Sequence, residues 1–159
     1  MITRSLSAVW VAVALSVIIG TPGVGLREAL AAAETHYQVQ LIWGTDSEKP
    51  KDKPLQEVDA KLQDKLKGIF KWKNYYEVSH KPVVVPKDGS QKVKLSDKCE
   101  IQVQDVGNSR AEIRLFGEGQ LVVKKVQAVV PGEMIVLAGN SKDDTAWFVV
   151  LVPTKTLDK

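Results

Sequence analysis

Aromatic and basic residues alternate in the stretch 70–76, which reads Phe-Lys-Trp-Lys-Asn-Tyr-Tyr. Flat aromatic rings can stack on sugars or bases, and neighbouring lysines add hydrogen-bond donors and positive charge. The pattern predicts a carbohydrate-binding platform formed by Trp72 and Tyr75 and flanked by Lys71 and Lys73. The alternative is that part of the stretch is core, because Phe70 and Tyr76 belong to the apolar faces of the neighbouring helix and strand.

Catalytic groups are sparse in this chain. Neither His36 nor His80 has a metal-ligand spacing such as H-x-x-x-H, and no serine stands in a G-x-S-x-G turn. We therefore predict no metal, no cofactor and no enzymatic activity. A hydrolase remains the last-ranked alternative, because carboxylates that meet only in the folded protein leave no trace in sequence spacing.

Two polar loops could hold ions but are more simply explained as turns. Gly117-Glu118-Gly119 joins strand to strand, and its glutamate would repel a phosphate, so it indicates a tight hairpin. Residues 140–144 offer Asn, Ser and Asp oxygens to a calcium ion, but they lack the spacing of an EF-hand loop. A hairpin tip built of turn-forming residues is the favoured interpretation.

The N-terminus has the features of a secretory signal peptide spanning residues 1–33. Arg4 precedes an apolar run over residues 8–19, and small residues then offer a cleavage site before Glu34. The run is too short for a permanent membrane span, which takes about 20 residues. We expect a periplasmic or extracellular protein, and a retained anchor is the alternative.

The charge and cysteine content of the remaining chain limit its partners. Residues 34–159 carry 20 Lys and Arg against 18 Asp and Glu, a net charge of +2. This near-neutral balance argues against nucleic acid as a partner. The single cysteine, Cys99, cannot form an internal disulfide, and its strand pattern predicts that it is buried.

Hydrophobic periodicity predicts one helix among many strands. Residues 37–43 alternate as a half-buried strand, and apolar residues from Leu55 to Phe70 follow helical spacing. From Tyr75 onward the period is that of strands, which we place near 75–85, 91–95, 99–106, 110–116, 120–126, 133–137 and 145–152.

The fold class is therefore α+β and β-rich. It has about eight antiparallel strands in a sandwich or bent sheet, with one amphipathic helix inserted after strand one. The last two strands do not alternate, which predicts that both are central and covered on both faces. We expect a single domain over residues 34–152 and a polar C-terminal tail over residues 153–159.

Four segments carry a resemblance to a known group of proteins. They are Leu41-Ile-Trp-Gly-Thr, Ile69-Phe-Lys-Trp-Lys-Asn-Tyr-Tyr, Leu115-Phe-Gly-Glu-Gly and Ala146-Trp-Phe-Val-Val. They resemble segments of uncharacterised exported bacterial proteins, and this resemblance implies no particular activity. A shorter stretch, residues 131–139, is similar to a strand pair of outer-membrane secretins, but its nine residues of strand-turn pattern assign no family.

The export signal, the β-rich pattern and the missing catalytic groups together predict a class of function. We expect a non-enzymatic binding or structural module of the bacterial periplasm or cell surface, held in an assembly with an envelope or extracellular protein. A carbohydrate-binding module that uses Trp72 and Tyr75, with a polysaccharide as partner, is the alternative.

Overall fold

The computed structural model describes residues 34–51, 54–139 and 145–154. The predicted signal segment, the calcium-loop candidate at 140–144 and the end of the predicted tail at 155–159 lie outside these residues. No helix in the described part of the chain is long and apolar enough to cross a membrane.

Strands dominate the described residues and confirm the predicted fold class. In chain order the elements are β1 (Glu34–Thr45), β2 (Gln56–Glu57), α1 (Ala60–Ile69), β3 (Asn74–Pro86), β4 (Ser90–Ser96), β5 (Cys99–Asp105), β6 (Arg110–Gly117), β7 (Gln120–Ala128), β8 (Ile135–Ala138) and β9 (Thr145–Thr154). The seven strands expected after residue 74 are all present, and β2 is the additional one. β9 continues two residues into the predicted tail, and the Thr154 hydroxyl there donates to the carbonyl of His36 (3.3 Å).

Two antiparallel sheets face each other. The first sheet has the order β2-β3-β1-β9-β8, and the second is a meander of β4-β5-β6-β7. Alternate residues of most strands point into the space between the sheets and form one apolar core. In β5 these are Cys99, Ile101 and Val103, as their alternation with polar residues predicts. Each buried aliphatic side chain of this kind stabilises the fold by about 1.5–3 kcal/mol.

The helix forms a third layer on the outer face of the first sheet. Leu62 and Leu66 are buried in a second apolar core, which also contains Phe148 of β9. The Asp59 side chain caps the helix by accepting from the backbone N–H of Leu62 (3.0 Å). The helix therefore begins about five residues later than the periodicity from Leu55 predicts, because the preceding residues pair with β3 instead.

The last two strands differ in position, and the prediction that both are central is wrong for β8. In β9, residues 148–151 are all buried, since the helix layer covers one face and the second sheet the other. β8 also packs on both faces, with Ile135 buried in one core and Val136 partly buried against the other, yet it lies at the edge of its sheet. A continuous apolar run indicates that both faces of a strand are covered. It does not indicate how many strands lie beside it in the sheet.

Candidate functional site

The two rings expected to form a sugar-stacking platform are buried. Trp72 is 5% exposed, Tyr75 is completely inaccessible, and both belong to the core beneath the helix. The Tyr75 hydroxyl donates to the carbonyl of Leu66 (3.3 Å), and burial raises its pKa. A ring enclosed on both faces cannot stack on a sugar, so the prediction of an exposed platform is wrong.

The absence of a side chain at one position on β1 explains why Trp72 is buried. A Cβ atom built on Gly44 would lie 2.9 Å from Cδ1 of Trp72 and 2.8 Å from Cε2 of Phe148. The indole therefore lies directly on the backbone of the first sheet, where a larger residue would hold it away. The segment after the helix closes the end of the helix-side core.

The two lysines of the same stretch remain in solvent. The ammonium of Lys71 lies 4.6 Å from the centroid of the Trp72 ring, a cation–π contact on the outside of the core. The backbone N–H of Lys73 donates to the Asp46 carboxylate (3.0 Å), which ties this segment to the loop after β1. Because Trp72 and Tyr75 are buried, Lys71 and Lys73 flank no solvent-exposed aromatic platform.

The other two described tryptophans lie together at an open cleft. Trp43 of β1 and Trp147 of β9 are cross-strand partners, and both are partly exposed. They line a cleft of about 490 Å³ between the two sheets, at the end where β1 ends and β9 begins. Its other apolar walls come from Leu41, Leu55, Val78, Cys99 and Val122. A cavity of this size and composition is typical of ligand sites, which measure about 300–1,000 Å³.

Two glycines hold the Trp147 ring in place at the cleft. A Cβ atom on Gly139 of the neighbouring chain segment would overlap the indole, and one on Gly117 of β6 would approach its Cζ2 atom to 3.3 Å. The ring thus reaches from the first sheet to the second through space that only glycines leave free. Neither glycine has a positive φ, so the close approach of the ring is what distinguishes these positions.

A β-bulge directs a further apolar side chain toward the cleft. The register between β1 and β3 shifts between Leu41 and Ile42, which leaves Val78 without a paired residue on β1. Val78 lines the cleft and is 44% exposed. Bulges reorient side chains in this way near functional sites.

Cys99 lies in the inner wall of the cleft and is 4% exposed, which confirms the predicted burial. Removal from water, with a smaller contribution from the charge of Glu100, raises the pKa of its thiol to about 11. The thiol is therefore protonated at neutral pH and is a poor nucleophile. It contributes an apolar wall rather than chemistry.

The charged residues of the cleft lie at its rim. Lys98 and Glu118 form an ion pair across the hairpin ends (3.2 Å), and both side chains are well exposed. Such a pair adds little to stability but leaves the rim polar around an apolar interior.

The histidines lie elsewhere and make local contacts. His36 pairs with Glu34 (2.9 Å), and His80 contacts the side-chain oxygen of Gln38 (2.9 Å). Among the described residues, no three His, Cys, Asp or Glu side chains lie close enough together to hold a metal ion. The chemistry that the cleft supports is the burial of an apolar group against two tryptophan rings.

Sequence reasoning missed this cleft because its walls come from distant parts of the chain. The pairing of β1 with β9 brings together two tryptophans that lie far apart in sequence. Residues of three of the four resemblance segments meet at this cleft, since Trp43, Gly117 and Trp147 each belong to one of them.

The fold and the cleft together define an antiparallel two-sheet sandwich with a helix on one outer face and an aromatic cleft at one end. No protein-family model, no curated protein and no solved structure matches the chain.

Proposed function

We propose that this chain is an exported, non-enzymatic binding module of the bacterial periplasm or cell surface. Its ligand is an apolar side chain of a protein partner, which inserts between Trp43 and Trp147. The observation that carries the proposal is an open cleft with two partly exposed tryptophans on its walls. Partly exposed apolar surface in a concave site gains free energy when a partner covers it, by about 25 cal/mol per Å².

The rim favours a protein partner over a lipid chain. An interface between proteins has an apolar centre surrounded by polar groups, and its most important residues are often tryptophans. Lys98 and Glu118 place one positive and one negative charge at the rim, so a charged side chain of either sign on the partner can find an opposite charge there. The hydrocarbon of an acyl chain has no polar groups that could pair with the charges at this rim.

The ionisable groups of the cleft support a binding function without catalysis. Cys99 is protonated at neutral pH, and the two charged side chains of the rim already neutralise each other in solvent. Among the described residues that line the cleft, no acid and base face each other to exchange a proton with a substrate.

Photocrosslinking in the producing bacterium tests this function. p-Benzoylphenylalanine is placed at Val78, which lines the cleft and is 44% exposed, or at Val126 of β7, which is 41% exposed and lies outside the cleft. We expect a protein adduct at Val78 and not at Val126. The adduct should disappear with Trp147→Ala, because truncating a central tryptophan weakens binding by about 2 kcal/mol or more, roughly thirtyfold.

Three results would overturn the proposal. They are equal adducts at Val78 and Val126, an adduct at Val78 that persists with Trp147→Ala, and an adduct that contains lipid or glycan but no protein. The last would change the ligand class while leaving the cleft as the site.

A further inference from the structure

A second cavity lies at the opposite end of the sandwich, where β1 begins and β9 ends. Its volume is about 580 Å³, and its lining is more polar than that of the cleft. The side chains that matter for its chemistry are those of Glu34, Tyr37, Lys87, Asp105 and Arg110. Sequence patterns do not reveal this group, because the lining of the cavity comes from five separate chain segments.

Both carboxylates of this cavity already have partners. Asp105 accepts from the backbone N–H of Asp88 through Oδ2 (3.1 Å) and from that of Gly107 through Oδ1 (2.9 Å). Glu34 is bonded to the ring of His36 (2.9 Å). Asp105 therefore connects the turn that contains Asp88 to the turn that contains Gly107. Both carboxylates of the cavity thus already have hydrogen-bond partners within the protein.

The two cations of the cavity balance the charge of its two carboxylates but form no ion pair with them. Neither Lys87 nor Arg110 forms an ion pair with any carboxylate of the described residues, although other exposed cations of the second sheet do so, such as Lys92 with Glu100 (2.6 Å). The loop residues Asn108 and Ser109, both with φ of 53°, line the same cavity. Amides in such turns are good donors to anions.

A buried hydroxyl adds one more donor. The Tyr37 side chain is 2% exposed and belongs to the core between the sheets. Tyr37 also lines the cavity. Burial first, and the charge of Asp105 second, raise the pKa of its hydroxyl to about 12. The proton therefore stays on the oxygen at physiological pH, and the group can donate to an anion.

We propose that this cavity is a second binding site, specific for small molecules that carry an oxyanion group, either a carboxylate or a phosphate. Lys87 and Arg110 supply the charge, and Tyr37 supplies a hydrogen bond from the floor. The volume admits a ligand of the size of an acidic sugar and not only a bare ion. This site is independent of the Trp43–Trp147 cleft, so either proposal can fail without the other.

Titration followed by amide NMR tests the proposal on the full exported protein. The probes are inorganic phosphate and glucuronate, with glucose as the neutral control, at low ionic strength where charge interactions are least screened. We expect the amide signals of residues 107–110 to shift with phosphate, with glucuronate or with both, and not with glucose. The probe that binds identifies the oxyanion.

Variants separate this site from unspecific attraction to a basic surface. We expect Lys87→Gln with Arg110→Gln to weaken binding about tenfold or more, because hydrogen bonds between charged partners are the strong ones. Tyr37→Phe should weaken it several-fold while keeping the packing of the ring. Lys65→Gln, which removes one positive charge from the exposed face of α1, should leave the affinity unchanged within twofold.

Two outcomes would overturn the proposal. One is the absence of any shift at residues 107–110 with either anion. The other is binding that Lys87→Gln with Arg110→Gln and Lys65→Gln weaken to the same degree, which would mean attraction by net charge alone.

Discussion

Gly44→Ala tests the packing of the core beneath the helix. The added methyl group would lie 2.8 Å from Cε2 of Phe148 and 2.9 Å from Cδ1 of Trp72, and both rings are buried. Contacts this short require at least one ring to move within a close-packed core. The backbone itself would accept alanine, since Gly44 has no positive φ.

Two opposing effects set the size of the change. Replacing glycine within a regular element gains about 0.5–1 kcal/mol, because the unfolded chain loses less freedom on folding. Overpacking of a filled core costs about 1–3 kcal/mol. The second effect is larger, so we expect Gly44→Ala to lower the free energy of unfolding by about 1–2 kcal/mol.

Urea denaturation measures the difference, and Gly68→Ala is the matched control. A methyl group at Gly68 meets no atom within 4 Å on the solvent side of α1. This variant should raise the free energy of unfolding by about 0.5–1 kcal/mol through helix propensity. A Gly44→Ala protein as stable as Gly68→Ala would refute the tight packing of Trp72 against β1.

Three further predictions concern single positions. Gly139→Ala should displace the ring of Trp147 and red-shift its fluorescence, which an unchanged spectrum would contradict. Cys99 should react slowly with a thiol reagent in the native protein and quickly in urea. Stability should also fall as pH rises from 9 to about 11, because the unfolded thiol ionises before the buried one, whereas a Cys99→Ala protein should lack this component. Asp59→Ala should lower the urea midpoint by removing the helix cap, at a cost of about 1 kcal/mol, and an unchanged midpoint would refute the capping role.

Local patterns predicted the strands well because each inward face alternates with a polar one. In β5 the residues around Ile101 read apolar and polar in turn, and the structure buries the expected half. The start of α1 could not be predicted, since Leu55 and Val58 fit the helical spacing although the segment around them is extended and pairs with β3. Apolar spacing records which side chains are buried, and it does not by itself distinguish a helix from the strand that leads into it.

The candidate site was far less predictable than the fold. Whether Trp72 is exposed depends on Gly44, a residue in another strand whose lack of a side chain admits the ring. Whether Trp43 lines a cleft depends on Trp147, which only the pairing of β1 with β9 brings beside it. The composition of one segment contains neither kind of information.

In the proposed function, Trp43 and Trp147, and not Trp72, contact the ligand. Fluorine NMR of protein labelled with 5-fluorotryptophan tests it directly, with each signal assigned by a Trp→Phe variant. N-acetylphenylalaninamide serves as a probe for the apolar side chain of a partner. We expect saturable shifts of the Trp43 and Trp147 signals while the buried Trp72 signal stays unchanged. No shift at the two cleft tryptophans, or a shift of Trp72 as large as theirs, would contradict it.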